Sequence, residues 1–125
     1  VVHVPDARVL FAGDLAFFFV TPLAHEGHIG NWIRNVERIL VEVDADVVVP
    51  GHGPCGTRDD WRGMLDYLRL VHGAARRAFD AGATEREAIG SIDLGEYGEW
   101  VEADRIVPNV RRCYQEFRGE LDAIA

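Results

Sequence analysis

The chain has little of what would announce a polymeric or membrane partner. No apolar run approaches the ~20 residues that a membrane-spanning helix needs, so no membrane span is expected. No Lys/Arg cluster stands alone. Arg76-Arg77 and Arg111-Arg112 lie within helical patterns beside acids, and the net charge is −8. Nucleic acid and anionic membranes are therefore poor partners. Only two cysteines occur, Cys55 and Cys113, far apart in sequence. That argues against a disulfide framework and for reduced thiols, with a cytoplasmic location as the expectation. No basic stretch followed by an apolar one opens the chain, and Val1–Val4 reads as strand rather than signal peptide. There is no internal repeat, low-complexity tract or interdomain linker. What remains is a 125-residue chain, 48% hydrophobic and 27% charged. These values suit one globular domain with a core of its own.

Taken in order, Val1–Val4 is a strand and Pro5-Asp6-Ala7-Arg8 a tight turn. Arg8–Gly13 is the return strand. Residues 15–29 read as irregular: Leu15–Val20 is very apolar, Pro22 breaks it, and Gly27 and Gly30 follow. A loop this apolar needs cover. Asn31–Val43 is a helix, with Trp32, Ile33, Val36, Ile39, Leu40 and Val43 on one face. Val47–Val49 is a strand expected to be buried on both sides. Strand, helix and strand at this spacing make a βαβ-type crossover. Thr57 caps a long helix over 58–81 that Gly82 ends. Thr84-Glu85-Arg86-Glu87 is a capping box opening a short helix, and residues 90–98 form a loop. A last helix runs from about Glu102 to Ala123, with Pro108 either kinking it or sitting in its first turn.

Two strand ends carry the chemistry. Val9-Leu10-Phe11-Ala12-Gly13-Asp14-Leu15 delivers a carboxylate, and Val47-Val48-Val49-Pro50-Gly51-His52-Gly53-Pro54 an imidazole between glycines. Strand ends hold side chains rigidly, and flanking glycines let backbone approach an ion closely. Asp14 and His52 thus read as two metal ligands of one site; otherwise Asp14 starts a turn and His52 is a satisfied loop histidine.

The pair of motifs, Gly-Asp-Leu and Pro-Gly-His-Gly-Pro at this separation, resembles the metallo-β-lactamase fold superfamily over residues 1 to about 70. The resemblance implies an αββα sandwich of two similar halves, with the site between them at one edge. It implies a dinuclear site of zinc, or of iron or manganese, with Asp14 as the bridging carboxylate and His52 a ligand of the second metal. The activity implied is hydrolysis of a small-molecule ester, thioester, lactone or similar. The family's His-x-His-x-Asp-His motif is absent, and so is its next metal histidine; His3 lies inside a strand and is not given that role. Residues 1–83 are then expected to be the C-terminal half of such a fold, and residues 84–125 a helical extension packed on it. With only two of the ligands, the isolated chain is expected to be inactive although its parent is an enzyme.

His25 and His28, in His-Glu-Gly-His, read as pocket lining, as replacement ligands, or as plain solvated loop. Cys55 reads as a small buried residue, His72 as core-edge or surface, and Glu96, Glu99, Glu102 and Asp104 as a solvated acidic face. Phe17-Phe18-Phe19 reads as core before pocket. A half-sandwich leaves a sheet face and strand edges bare, so a homo-oligomer is expected. Two further readings stand beside the hydrolase fragment. One is a non-catalytic interaction or dimerisation domain, and the other a small metal module using Asp14, His25, His28 and His52 together.

Overall fold

The computed structural model describes residues 1–122. In chain order it runs β1 (Val2–Val4), β2 (Val9–Phe17), α1 (Ile29–Glu42), β3 (Val47–His52), α2 (Arg58–Asp80), α3 (Glu85–Ser91) and α4 (Ile106–Phe117). Short 3-10 turns cover Pro5–Ala7, Gly95–Glu99 and Ala103–Arg105. The sheet order is β1-β2-β3. β1 and β2 are an antiparallel hairpin, and β2 pairs in parallel with β3 across the α1 crossover. The class is therefore mixed α/β. Among the described residues, no helix is long and apolar enough to cross a membrane.

The sheet has two unequal faces. Leu10, Ala12 and Val48 are buried among Val36, Trp61, Leu68 and Val71 of the helices in a single core. In register on the opposite face stand Val2 with Phe11, Val4 with Val9, Val9 with Val47, and Phe11 with Val49. Among the described residues no helix covers this side: Val2 is 62% exposed, Phe11 46%, and Val4 and Val47 38% each. The expected two-sided burial of Val47–Val49 is thus corrected. Only Val48 is sealed, because the helices pack on one face alone.

The helices start where their caps dictate. Thr57 and Asp60 exchange the two bonds of a capping box at α2; Thr84 and Glu87 do the same at α3, each satisfying amides that the first turn leaves open. α2 ends before Gly82, which takes φ +79°. α1 begins two residues earlier than its periodicity predicts, because the His28 side chain caps it. α4 begins at Ile106, which places Pro108 in its first turn, where no amide partner is lost. It ends at Phe117, short of Ala123, which lies outside the described residues.

β2 also runs past Gly13 to Phe17, where the sequence reads as irregular. The irregularity is real but lies in the pairing, whose register shifts between Phe11 and Gly13 and again before Phe17.

α4 joins the same core through Val110, Cys113 and Tyr114. Its Asn109 is fully buried. The Asn109 amide donates to Pro22 O at 2.8 Å and Tyr67 Oη at 3.1 Å, and its oxygen accepts from Ala24 N at 2.9 Å. Burial pushes the Tyr67 phenol up to about 12, with the Asn109 bond opposing. Asn109→Ala strands these buried groups, and a stranded group costs about 1–3 kcal/mol. Urea unfolding should show a loss on the order of 3 kcal/mol, with limited proteolysis newly cutting within residues 19–28.

Candidate active-site cleft

Asp14 reaches the surface through a break in the pleat. Leu10 and Ala12 alternate inward, and strict period-two continuation would send Asp14 the same way. Gly13 instead takes φ +58°, a left-handed conformation that other residues adopt at a cost, and Asp14 emerges exposed. The next peptide is held firmly. The Leu15 carbonyl accepts the indole N–H of Trp32 on α1 and that of Trp61 on α2, each at 3.0 Å.

His52 is placed from the other strand. Its ring stacks on Phe17 at 4.5 Å with 10° between planes, and its carbonyl accepts from Phe18 N at 3.0 Å. Glycine is required on both sides. A Cβ on Gly51 would stand 2.2 Å from Asp14 Oδ1, and one on Gly53, at φ +92°, would stand 2.1 Å from Phe18 O. With these constraints His52 Nε2 lies 3.4 Å from Asp14 Oδ1.

The two groups open onto a cleft of about 550 Å³. Trp32, Asn31 and Asn35 of α1 line it, together with Leu23, His25 and His28 of the β2–α1 loop and Arg105 from the Ala103–Arg105 turn. The C-terminal segment holds that loop in place. Val20 bridges to Val101, Arg105 Nη1 donates to Thr21 O at 2.8 Å, and Arg112 Nε donates to Gly27 O at 2.5 Å. Asn109 fastens Pro22 and Ala24 as described above.

At the cleft edge Glu116 of α4 meets two histidines. Its Oε1 lies 3.1 Å from His28 Nδ1 and accepts Gly30 N–H at 2.9 Å, while Oε2 lies 2.6 Å from His72 Nε2. Burial is the largest single effect on this carboxyl and pushes it up. The His72 and Gly30 hydrogen bonds and the two imidazoles together outweigh burial and hold it below the ordinary 4.5.

Several sequence-level candidates fall elsewhere. Cys55 is exposed rather than buried, because it sits in the turn after His52, outside the helix-covered core. Cys113 is buried, and burial pushes its thiol up. His72 is half-buried against Glu116. Glu96, Glu99, Glu102 and Asp104 are exposed. Phe17 and Phe18 are core, with Phe17 also lining the cleft, whereas Phe19 is 52% exposed. Sequence reasoning missed Trp32 and Arg105 as cleft residues, and Glu116 as the neighbour of the cleft's His28. Trp32 looked like ordinary helix stripe, and only tertiary packing brings Arg105 to the cleft and Glu116 to His28.

The donor set decides whether a resident metal fits. Among the described residues no group of three or more His, Cys, Asp or Glu side chains is arranged to hold an ion. Catalytic zinc generally takes three protein ligands plus water. Asp14 and His52 supply two donors, and His25 and His28 do not join them in such a group. The described residues therefore do not by themselves make a full metal site.

No protein-family model matches the chain, and no curated protein matches it in sequence. Among solved structures it superposes on a stereoselective inverting sec-alkylsulfatase, Pisa1, from Pseudomonas sp., with a TM-score of 0.74 and 19% identity. The match covers 94% of this chain and 21% of that one, so the chain spans about a fifth of its length. That enzyme has the metallo-β-lactamase fold, and at this identity the likeness speaks for fold.

The Glu116 pairing has a definite pH signature. A carboxyl whose folded pKa is depressed stabilises the fold above its unfolded value and loses that stabilisation as pH falls through the folded one. Urea midpoints of wild type and Glu116→Gln should therefore differ most above the ordinary carboxyl range and converge as pH falls through the lowered folded pKa of Glu116. A gap that does not narrow as Glu116 protonates on acidification would contradict the pairing.

Proposed function

We propose that this chain is the C-terminal half of a metal-dependent hydrolase of the metallo-β-lactamase superfamily. Residues 1–83 are its half of the αββα sandwich, and residues 84–125 are the helical extension that braces the cleft. The observation that carries this reading is the 3.4 Å approach of His52 Nε2 to Asp14 Oδ1, from neighbouring parallel strands. Asp14 and His52 would each hold metal in a dinuclear zinc, iron or manganese site, Asp14 as the bridging carboxylate and His52 as a ligand of the second metal, with the other ligands supplied from outside this chain. The metal would supply an activated water for hydrolysis. The substrate is a small-molecule ester, thioester, lactone or similar, lodged in the 550 Å³ cleft beside His25 and His28. The alkylsulfatase likeness adds sulfate esters to the compounds worth testing first. The location proposed for it is the cytoplasm.

As this isolated chain the protein is inactive, since two donors neither hold nor acidify a water reliably. Calorimetric titration with zinc should give binding far weaker than a complete site, and Asp14→Ala and His52→Ala should each abolish what remains. Zinc affinity unchanged in both variants would remove the site from this reading. An upstream reading frame carrying His-x-His-x-Asp-His supports the parent enzyme, whereas a start codon near Val1 favours the second reading.

That second reading is a non-catalytic association domain, and the bare sheet face favours it. Val2, Val4, Val9, Phe11, Val47 and Val49 form an apolar surface without a charged side chain among them. Two copies can meet there without like charges opposed. The isolated chain should elute in light-scattering chromatography with the mass of a homodimer, and Phe11→Asp should return it to monomer. A folded wild-type monomer at micromolar concentration would exclude association through this face.

A further inference from the structure

Three arginines are half-buried among the described residues: Arg58, Arg105 and Arg112. Arg58 meets a carboxylate, Asp44 Oδ1, at 2.9 Å. Arg112 divides its guanidinium between two fixed acceptors, Gly27 O at 2.5 Å and Gln115 Oε1 at 3.1 Å. Arg105 is answered less well. Its Nη1 donates to Thr21 O at 2.8 Å, while its Nε and Nη2 have no partner and no carboxylate stands within ion-pair reach among the described residues. A guanidinium carries five N–H donors in a fixed fork, so most of this one is open. Drawing a cation partly out of water without a counter-charge is unfavourable. The same side chain lines the cleft of about 550 Å³. Asp14, the one carboxylate in that lining, faces His52 Nε2 at 3.4 Å instead. Much of the remaining wall is apolar: Leu15, Phe17, Leu23, Ala24 and Trp32.

We propose that Arg105 is a specificity-determining residue of the cleft: it takes an anionic oxygen group of a ligand whose apolar part lies against Phe17, Leu23 and Trp32. The substrates of this site are then small amphiphilic anions rather than neutral esters. This rests on reading the cleft as the substrate site. The open edge of the guanidinium suits a carboxylate or a sulfate group, each of which can accept two parallel N–H bonds. The Thr21 bond holds the fork in place before a ligand arrives, which lowers the cost of ordering it on binding. A residue serving only to anchor the β2–α1 loop would need one N–H at Thr21 O and no more. The ligand's oxygens supply the counter-charge that the described residues do not, and its apolar part is removed from water along the wall.

The experiment is titration of the full chain with hexanoate, hexyl sulfate and 1-hexanol, in chelator and without zinc. Nitrogen-15 NMR follows the Trp32 indole N–H and the Arg105 Nε–H. At least one anion should bind about tenfold or more tighter than hexanol and should shift both resonances together. The tighter of the two anions tells whether the site takes a carboxylate or a sulfate group. Arg105→Gln, which keeps a donor for Thr21 O, should remove the preference for anions and leave the affinity for hexanol in place. Arg105→Lys should keep part of the preference. Hexanol binding as tightly as both anions, or an Arg105 Nε–H that neither anion moves, overturns the proposal on wild type alone, even if the glutamine variant fails to fold. A preference that survives Arg105→Gln overturns it as well. Zinc is excluded throughout, so this proposal and the metal-site reading can fail separately.

Discussion

Two indoles from two different helices donate to one carbonyl, that of Leu15. Trp32 comes from α1 and Trp61 from α2, and the peptide they grip directly follows Asp14. Both indoles lie largely within the core, where a buried N–H without a partner is costly. The core therefore cannot be packed this way without fixing the height at which Asp14 leaves the sheet. Packing and site geometry are coupled through that one oxygen, and the positive φ of Gly13 is the local deformation that lets the next side chain turn outward.

The second dependence runs from the far end of the chain. The β2–α1 loop carries His25 and His28, and its backbone is met by Arg105, Asn109 and Arg112. These contacts satisfy carbonyls that a loop crossing apolar surface would otherwise leave open. One cleft wall is thus built by residues more than eighty positions away in sequence. The C-terminal helices are part of the cleft's construction, which is a stronger role than a lid or an outer association surface.

These two dependencies explain what could be read in advance and what could not. The meeting of Asp14 and His52 was legible because each side chain ends the same local pattern: an apolar strand, a glycine, and a polar residue. The α1 and α2 stripes were legible by periodicity, and the capping boxes at Thr57 and Thr84 by residue type. The extension of β2 to Phe17 was not, since a run as apolar as Leu15–Val20 has no period to report. Glu116 was invisible for a different reason. It is the one acid of α4, nothing in the local pattern sets it apart from a solvated helix residue, and only the approach of α1 and α2 gives it two histidines and a helix N-terminus. Val47 was misjudged because an apolar strand carries no mark of which side will be covered.

The Asp14–His52 approach is not explained by its own attraction. Both side chains are largely exposed, and an exposed pair of this kind is worth about 0–1 kcal/mol. Yet Gly51 and Gly53 leave no room for a Cβ, Phe17 stacks on the imidazole, and a bifurcated carbonyl stands beside the carboxylate. Such constraints far exceed what so weak a contact would need to survive. Stability selects for the stacking and the indole bonds, but it is indifferent to whether the two polar heads end up within hydrogen-bonding range in open solvent. That convergence makes physical sense as preorganisation, in which rigid neighbours hold donors in place before a third partner arrives.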